Sequence, residues 1–127
     1  NRSAQFRLPQ NRYCIENRAA DLTMNVYLAL GMTLSAAIEG IQNKIDPGKA
    51  SDFDLYALSN KEMKNLGIRR LPRNLLQATE ALQKNKIAEK VLGKVMLNSY
   101  VNYKNDEWER YHQAVTDWEV KEYLRLY

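Results

Sequence analysis

The longest run of apolar residues lies in the first third of the chain and has almost no polar face until Glu39. The pattern predicts a helix from about Met24 to Gln42, with Asp21 or Thr23 as its N-cap. A helix that is apolar nearly all round is normally buried by neighbours on several sides. A chain of this size supplies few such neighbours, so we expect this helix to pack against a partner domain as well.

Two short extended segments precede this helix, with a turn at Pro9-Gln10-Asn11 between them. Side chains alternate on an extended segment, so Glu16 and Arg18 are expected to share a face while Ile15 points the other way. By spacing alone, a carboxylate beside a guanidinium is more often an ion pair across a sheet than part of a reaction centre.

Two later helices begin with a capping-box pattern. Ser59-x-x-Glu62 predicts the start of a short helix that ends at Gly67. This short helix follows a predicted turn at residues 46–48 and a polar loop over residues 49–58. Thr116-x-x-Glu119 predicts the start of the terminal helix.

The segment between these motifs is also helical in pattern. Pro72 suits the first turn of a helix that runs to about Lys84. That helix is expected to bury Leu75, Leu76, Ala78, Thr79 and Leu82. A further turn or two reaches Gly93, and a helix then runs from Val95 to Gln113. Its aromatic stripe is typical of a core or interface rather than of base stacking: Tyr100, Tyr103, Trp108 and Tyr111.

The expected fold is α+β and mostly helical, with a short N-terminal β segment of two strands followed by about five helices.

Composition narrows the classes of function. The 127 residues carry a net charge of +4, and the basic residues are spread along the chain. Nucleic-acid binding, which needs a concentrated basic face, is therefore not favoured. The apolar run Val26–Ile38 falls short of the ~20 residues that span a membrane, and no secretory leader opens the chain. One cysteine, Cys14, excludes an internal disulfide. These features predict a soluble, cytoplasmic protein that binds neither nucleic acid nor membrane.

Few residues offer catalytic chemistry by spacing alone. His112 is the only histidine, and no Cys, Asp or Glu stands at metal-ligand spacing from it. Cys14 has no base beside it, and there is no glycine-rich phosphate loop. His112 is expected on a helix surface.

Three motifs at the start of the chain nevertheless occur together. They are Asn1-Arg2-Ser3-Ala4-x-x-Arg7-Leu8-Pro9, Ile15-Glu16-x-Arg18-x-x-Asp21 and Asn25-x-Tyr27-Leu28-Ala29. In this order they resemble the C-terminal catalytic region of glutamine synthetases. The resemblance continues through Glu39-Gly40-Ile41, Leu71-Pro72-x-x-Leu75 and Ala78-x-x-Ala81-Leu82.

The tail is similar to one branch of that family, the type III group, which includes enzymes that join glutamate to small alkylamines. The matching residues are Leu92-Gly93, Tyr100, Lys104-x-x-Glu107-x-x-x-Tyr111 and residues 115–119. The chain begins inside the first motif and without a methionine. We therefore expect residues 1–127 to be the C-terminal part of a glutamine synthetase-like catalytic domain, without the N-terminal β-grasp domain and the first part of the catalytic domain.

The resemblance implies an ATP-dependent glutamate–ammonia ligase of nitrogen metabolism that forms the γ-amide through γ-glutamyl phosphate. It implies Mg²⁺ or Mn²⁺ as cofactor, ATP as co-substrate, and a homo-oligomeric ring in which a neighbouring subunit completes each site. The fragment alone is therefore expected to be inactive.

The resemblance also assigns roles to four residues. Glu16 matches a metal-binding glutamate, and Arg18 matches an arginine that binds substrate glutamate. Arg2 matches an arginine that serves both glutamate and ATP, and Arg7 matches one that serves ATP. Hard carboxylate oxygens suit Mg²⁺, and the guanidinium fork suits phosphate and carboxylate. On an ideal strand Arg2 and Arg7 would face opposite ways, so a bend or bulge is expected between them.

The chain also departs from the family pattern. Cys14 stands where members often have arginine, and Asn11 stands near the position of a lysine, so two cations are lost unless Arg12 replaces one. Val26 replaces the usual proline, which affects only how the helix starts. Tyr56 falls near a tyrosine that some bacterial glutamine synthetases adenylylate, although a tyrosine that anchors the loop is the better-supported interpretation.

Two alternatives to the ammonia ligase stay open on the sequence. The first is a glutamate–alkylamine ligase, with methylamine as an example of the acceptor. The second is a catalytically inactive helical domain that works by association, through the helix over residues 24–42 and the aromatic stripe.

Overall fold

A computed structural model describes residues 2–126, so Asn1, the first residue of the first motif, and Tyr127 lie outside the description. The described chain is mostly helical with one small antiparallel sheet, which confirms the predicted fold class. It divides into two compact units, Asn1–Leu71 and Pro72–Tyr127.

The first unit opens with strands β1 (Phe6–Arg7) and β2 (Glu16–Asn17). They pair antiparallel, with Phe6 opposite Asn17 and Arg7 opposite Glu16. The chain turns between them at residues 10–11, within the predicted turn. The rest of the unit holds helix α1 (Val26–Gln42), a single 3₁₀ turn (Leu55–Ala57) and helix α2 (Asn60–Asn65).

The start of α1 differs from the prediction. The N-cap is Asn25, whose side chain accepts hydrogen bonds from the backbone N–H groups of Tyr27 and Leu28. Asp21 instead accepts hydrogen bonds from the backbone N–H and the hydroxyl of Thr23, at 2.6 and 2.5 Å. Both predicted caps are thus engaged with each other in a local turn, and the helix begins at the next cap-forming residue.

Helix α1 is apolar but has no buried residue within the described chain. Leu34 is 60% exposed, Ile38 53% and Ile41 77%. The prediction that neighbours bury this helix on several sides is therefore not met by residues 2–126.

Helix α2 has the predicted ends. The Ser59 hydroxyl accepts from the Glu62 N–H, and the Glu62 carboxylate accepts from the Ser59 N–H, which completes a capping box. Gly67 follows the helix with φ of 68°, a left-handed conformation that favours glycine at a helix C-terminus. The predicted turn before it also forms, because the Gly48 N–H donates to the Asp46 carboxylate at 2.8 Å.

The second unit holds helices α3 (Leu75–Gln83), α4 (Lys86–Gln113) and α5 (Asp117–Tyr123). Helix α4 is interrupted at Gly93, whose φ of 74° and ψ of 155° are not helical, so the predicted break at this residue is confirmed. Helix α5 begins with the predicted capping box of Thr116 and Glu119.

Helix α3 begins three residues later than its prediction from Pro72. Asn74 is the N-cap and accepts from the Gln77 N–H at 2.9 Å, while the Gln77 side chain accepts from the Arg73 N–H at 3.0 Å. The Asn74 side chain satisfies one free N–H group of the first turn, so the helix starts after Asn74 rather than at Pro72.

Helices α3 and α4 pack on each other and form the core of the second unit. Its buried side chains are Thr79, Ala88, Leu97 and Val101. Of the residues expected to be buried on α3, only Thr79 is fully so. Leu75, Leu76 and Leu82 are half-buried, and Ala78 is exposed, which corrects that part of the prediction. Ala78 is about 100° around the helix from Thr79, which places it at the margin of the buried face.

The aromatic stripe of α4 is not a core within the described residues. Tyr100 and Trp108 are half-buried, whereas Tyr103 and Tyr111 are 60% and 68% exposed. His112 lies on the helix surface as predicted, with Nδ1 2.9 Å from the Trp108 carbonyl oxygen.

Across residues 2–126, none of the helices combines the length and apolar character needed to cross a membrane.

Candidate active site

The β1–β2 ladder places a carboxylate opposite a guanidinium. Because Arg7 and Glu16 are register partners, their side chains emerge on the same face of the sheet. Arg7 Nη1 donates to Glu16 Oε2 at 3.0 Å, and the two side chains are 29% and 21% exposed. The cross-sheet ion pair therefore forms between Arg7 and Glu16, not between Glu16 and Arg18.

A second arginine reaches the same carboxylate from the loop that joins the strands. Arg12 Nη2 donates to Glu16 Oε1, so each carboxylate oxygen accepts from a different guanidinium. These hydrogen bonds, first from Arg7 and then from Arg12, hold the pKa of Glu16 below its usual value. The hydrogen bond to Glu16 is in turn the main cause of the raised pKa of Arg12. Glu16 is consequently an ionised, hard oxygen donor at neutral pH.

Arg18 is held by the backbone near the chain start. Strand β2 ends at Asn17, so Arg18 lies in the following turn and does not share a strand face with Glu16. Its backbone N–H donates to the Gln5 carbonyl at 2.8 Å, and its Nε donates to the Arg2 carbonyl at 2.9 Å. The predicted glutamate-binding arginines Arg2 and Arg18 are thereby joined directly.

The segment between Arg2 and β1 is bent over residues 3–5. A bend between Arg2 and Arg7 was expected, because on an ideal strand their side chains would face opposite ways. The Ser3 hydroxyl accepts a hydrogen bond at 2.8 Å from the backbone N–H of Leu55, 52 residues away. This contact fixes the bend against the loop that precedes α2. The Arg2 side chain is exposed.

The chemistry of Glu16 fits a divalent cation, but only as one ligand. Within residues 2–126, no three His, Cys, Asp or Glu side chains lie close enough together to hold a metal ion. Mg²⁺ prefers about six oxygen ligands and commonly takes only one or two carboxylates from the protein. Glu16 can supply one of these.

The loop between the strands holds the two positions where the sequence comparison indicates that cations are lost. Cys14 and Asn11 are both exposed. The sequence indicated Arg12 only as a replacement for one of the lost cations. In the structure it is the loop side chain that contacts Glu16. The only indication of this contact in the sequence is the spacing of four residues between Arg12 and Glu16. That spacing predicts contact between side chains on a helix, whereas these two residues lie on a loop and a strand.

Tyr56 does not anchor its loop by packing. Tyr56 is 82% exposed, and its backbone N–H donates to the Asp54 carboxylate at 2.9 Å at the start of the 3₁₀ turn.

A cavity of about 250 Å³ lies further along the first unit, beside α2, and its lining includes Met63, Ile68 and Arg70. None of the four predicted site residues contributes to it.

The small sheet and its loop thus place two guanidinium groups, those of Arg7 and Arg12, beside one ionised carboxylate. Comparison with known proteins identifies the family. The family described as "Glutamine synthetase, catalytic domain" matches residues 1–123. The chain belongs to the glutamine synthetase catalytic-domain family.

Individual relatives agree with this assignment. The chain is 38% identical over 129 residues to a glutamine synthetase of Methanosarcina mazei, covering 99% of this chain and 29% of that protein. It is 39% identical over 127 residues to a glutamine synthetase of Methanocaldococcus jannaschii, covering 98% and 28%. The chain therefore spans less than a third of the length of these relatives.

A solved structure shares the fold. A GmaS/ADP complex superposes with a TM-score of 0.74 at 32% sequence identity, over 87% of this chain and 25% of the GmaS chain.

Proposed function

We propose that this chain is the C-terminal part of a ligase that uses ATP to join ammonia to the γ-carboxylate of glutamate. The observation that carries the proposal is the carboxylate of Glu16 between Arg7 and Arg12, in a chain matched over residues 1–123 by the glutamine synthetase catalytic-domain family. The similar GmaS structure is a complex with ADP, the product that ATP leaves after phosphoryl transfer.

In the proposed reaction, the γ-phosphoryl group of ATP passes to the γ-carboxylate of glutamate, and ammonia then displaces phosphate from γ-glutamyl phosphate. Three anionic groups must therefore lie close together: the phosphates and both carboxylates of glutamate. Fixed cations stabilise such an arrangement because they are already oriented when charge moves. Bound Mg²⁺ or Mn²⁺ supplies further positive charge at the transferred phosphoryl group.

Each of the four residues has a task in this proposal. Glu16 contributes one oxygen ligand to the divalent cation. Arg18 binds a carboxylate of glutamate, and Arg2, joined to Arg18 through its carbonyl, serves both glutamate and the ATP phosphates. Arg7 binds ATP phosphate from the strand opposite Glu16.

The remaining metal ligands, the base and part of the amine pocket belong to chain outside these 127 residues. The family resemblance further supports a cytoplasmic homo-oligomeric ring in which a neighbouring subunit completes each site. We accordingly expect the 127-residue chain alone to be inactive.

A glutamate–alkylamine ligase is the second candidate. It is favoured by the tail, where residues 92–93, Tyr100, Lys104, Glu107 and residues 115–119 resemble the branch that includes such enzymes. Lys104 and Glu107 form an ion pair on α4 at 2.6 Å. This second reaction uses the same arginines and Glu16 and differs only in the amine.

Phosphate release by the full-length protein tests both candidates. The assay contains ATP, glutamate, Mg²⁺ and either ammonia or methylamine, and it compares the wild type with Glu16→Ala. Glu109→Ala is the control because it removes an exposed carboxylate on α4. Amine-dependent release that collapses only in Glu16→Ala supports the ligase, and the preferred amine identifies the reaction. A folded, assembled protein that turns over with neither amine would favour the association domain instead.

A further inference from the structure

The first N–H group of the 3₁₀ turn Leu55–Ala57 donates to an acceptor outside the turn. The N-cap, Asp54, accepts from the N–H of Tyr56, so it serves the second residue of the turn. The N–H of Leu55 donates instead to the Ser3 hydroxyl at 2.8 Å, across 52 residues of sequence. The first N–H groups of a helical turn cannot bond within it, so an outside acceptor is needed. The turn is thereby tied to the start of the chain.

The bond to Ser3 adjoins the backbone that carries Arg2. Arg2 and Ser3 share one peptide unit, and the carbonyl oxygen of that unit accepts from Arg18 Nε at 2.9 Å. The segment is therefore held at two points, on this carbonyl and on the Ser3 side chain. A serine oxygen has only three staggered positions relative to its own backbone. A hydrogen bond to that oxygen consequently restricts where the neighbouring residue can lie.

The exposure of the groups makes this backbone contact important for Arg2. Ser3 and Leu55 are half-buried, so their bond is partly protected from water, whereas the Arg2 side chain is exposed. A long exposed side chain samples many rotamers and loses that freedom when it binds a ligand. Its binding geometry then depends on a fixed position of the backbone. The bond between Ser3 and Leu55 is one of the contacts that supply it.

We propose that Ser3 is a positioning residue for substrate: by accepting from the Leu55 N–H, it holds the Arg2 backbone where the guanidinium can bind glutamate and ATP phosphate. This role rests on the proposed function, since it takes both ligands from that site. It also gives the 3₁₀ turn, which contributes none of the four predicted site residues, a part in substrate binding.

Steady-state kinetics of the full-length protein with the preferred amine test the role from the acceptor side. Ser3→Ala should raise the KM for glutamate and the KM for ATP about fivefold each, the usual effect of one neutral hydrogen bond. Ser3→Thr keeps a hydroxyl and should recover most of both affinities. Ser99→Ala, at an exposed position of α4, should change neither KM.

Replacing Leu55 tests the same bond from the donor side. Leu55→Pro removes the N–H, and proline is tolerated in the first turn of a helix. The extended φ and ψ of Asp54, −72° and 113°, also suit a residue that precedes proline. Leu55→Ala is the matched control because it loses the side chain but keeps the N–H. Only Leu55→Pro should raise both KM values, and the double variant with Ser3→Ala should raise them no further.

Three results would overturn the proposed role of Ser3. Wild-type KM values in Ser3→Ala would show that the bond does not position Arg2. A lower kcat and Tm with both KM values unchanged would mean that the bond only stabilises the fold. KM increases that multiply in the double variant would show that the two substitutions act independently. All three leave the proposed ligase intact, whereas a folded wild-type protein without turnover on either amine overturns both.

Discussion

The Nε of Arg18 donates a hydrogen bond to the carbonyl oxygen of Arg2 at 2.9 Å, although 16 residues separate them in sequence. The bond joins the turn after β2 to the bent segment before β1. Together with the bond from the Arg18 N–H to the Gln5 carbonyl, it fixes the relative positions of two arginines proposed to bind glutamate.

Replacing Arg18 with alanine should raise the KM for glutamate of the full-length protein by about tenfold or more. The substitution removes both a carboxylate-binding fork and the side-chain bond that positions Arg2. Steady-state kinetics at saturating ATP measure the effect. Arg125→Ala, which removes an exposed arginine near the end of the chain, should leave the KM unchanged. An unchanged KM in Arg18→Ala would contradict the assignment.

The ionisation of Glu16 should depend on both neighbouring arginines. Its pKa is lowered chiefly by the hydrogen bond from Arg7 and next by that from Arg12. Arg7→Ala should therefore raise the pKa of Glu16 more than Arg12→Ala does. A titration of the Glu16 side-chain carboxyl ¹³C shift in the folded protein measures each change. The opposite order, or no change in either variant, would disprove the ion-pair geometry.

The same pairing predicts how pH acts on the sheet. The pKa of Glu16 in the folded chain is lower than in the unfolded chain, so the ion pairs stabilise the fold above the unfolded pKa, about 4.3 for glutamate. That contribution is lost as the pH falls through the lowered pKa. The protection factors of the amides of residues 6–7 and 16–17, which are corrected for the intrinsic exchange rate at each pH, should fall in this acidic range in the wild type. In Glu16→Gln this loss of protection should be absent.

The break in α4 should tolerate only glycine. Gly93 has φ of 74° and ψ of 155°, a region that other residues occupy at a cost of about 1–3 kcal/mol. An added Cβ would meet no atom within 4 Å, so the cost comes from the backbone alone. Gly93→Ala should lower the Tm of the full-length protein.

Gly31→Ala is the matched substitution for Gly93→Ala. Gly31 lies inside α1, its added Cβ would also meet no atom within 4 Å, and alanine favours a helix over glycine by about 0.5–1 kcal/mol. It should leave the Tm unchanged or raise it. Equal decreases in both variants would show that the conformation of Gly93 is not the cause.

The capping box of α2 should control local opening of that helix. Ser59→Ala removes the hydroxyl that accepts from the Glu62 N–H, a loss of about 1 kcal/mol for an N-cap. Amides of residues 60–65 should then exchange roughly fivefold faster, provided that they exchange through local opening. Ser99→Ala, at an exposed position of α4, should leave their exchange rates unaltered.

Local chemistry explains which parts of the fold were predictable. The capping boxes at Ser59 and Thr116 and the left-handed Gly67 depend on residues within a few positions of each other, and all were predicted correctly. The start of α1 was not, because Asp21, Thr23 and Asn25 all favour N-caps. Propensity alone cannot show that the first two bond to each other.

The candidate site depended on longer-range geometry. Register could not be read from two-residue strands, so the sequence did not indicate that Arg7, rather than Arg18, lies beside Glu16. The contact of Arg12 with Glu16 depends on how the connecting loop turns. The family motifs assigned roles to the four residues but carried no information about these contacts.

The exposed apolar helix α1 has a consequence for biosynthesis. Within residues 2–126 this 17-residue helix has no buried residue, so it presents an extended apolar surface to its surroundings. Such surfaces promote aggregation of folding intermediates and are the usual targets of chaperones.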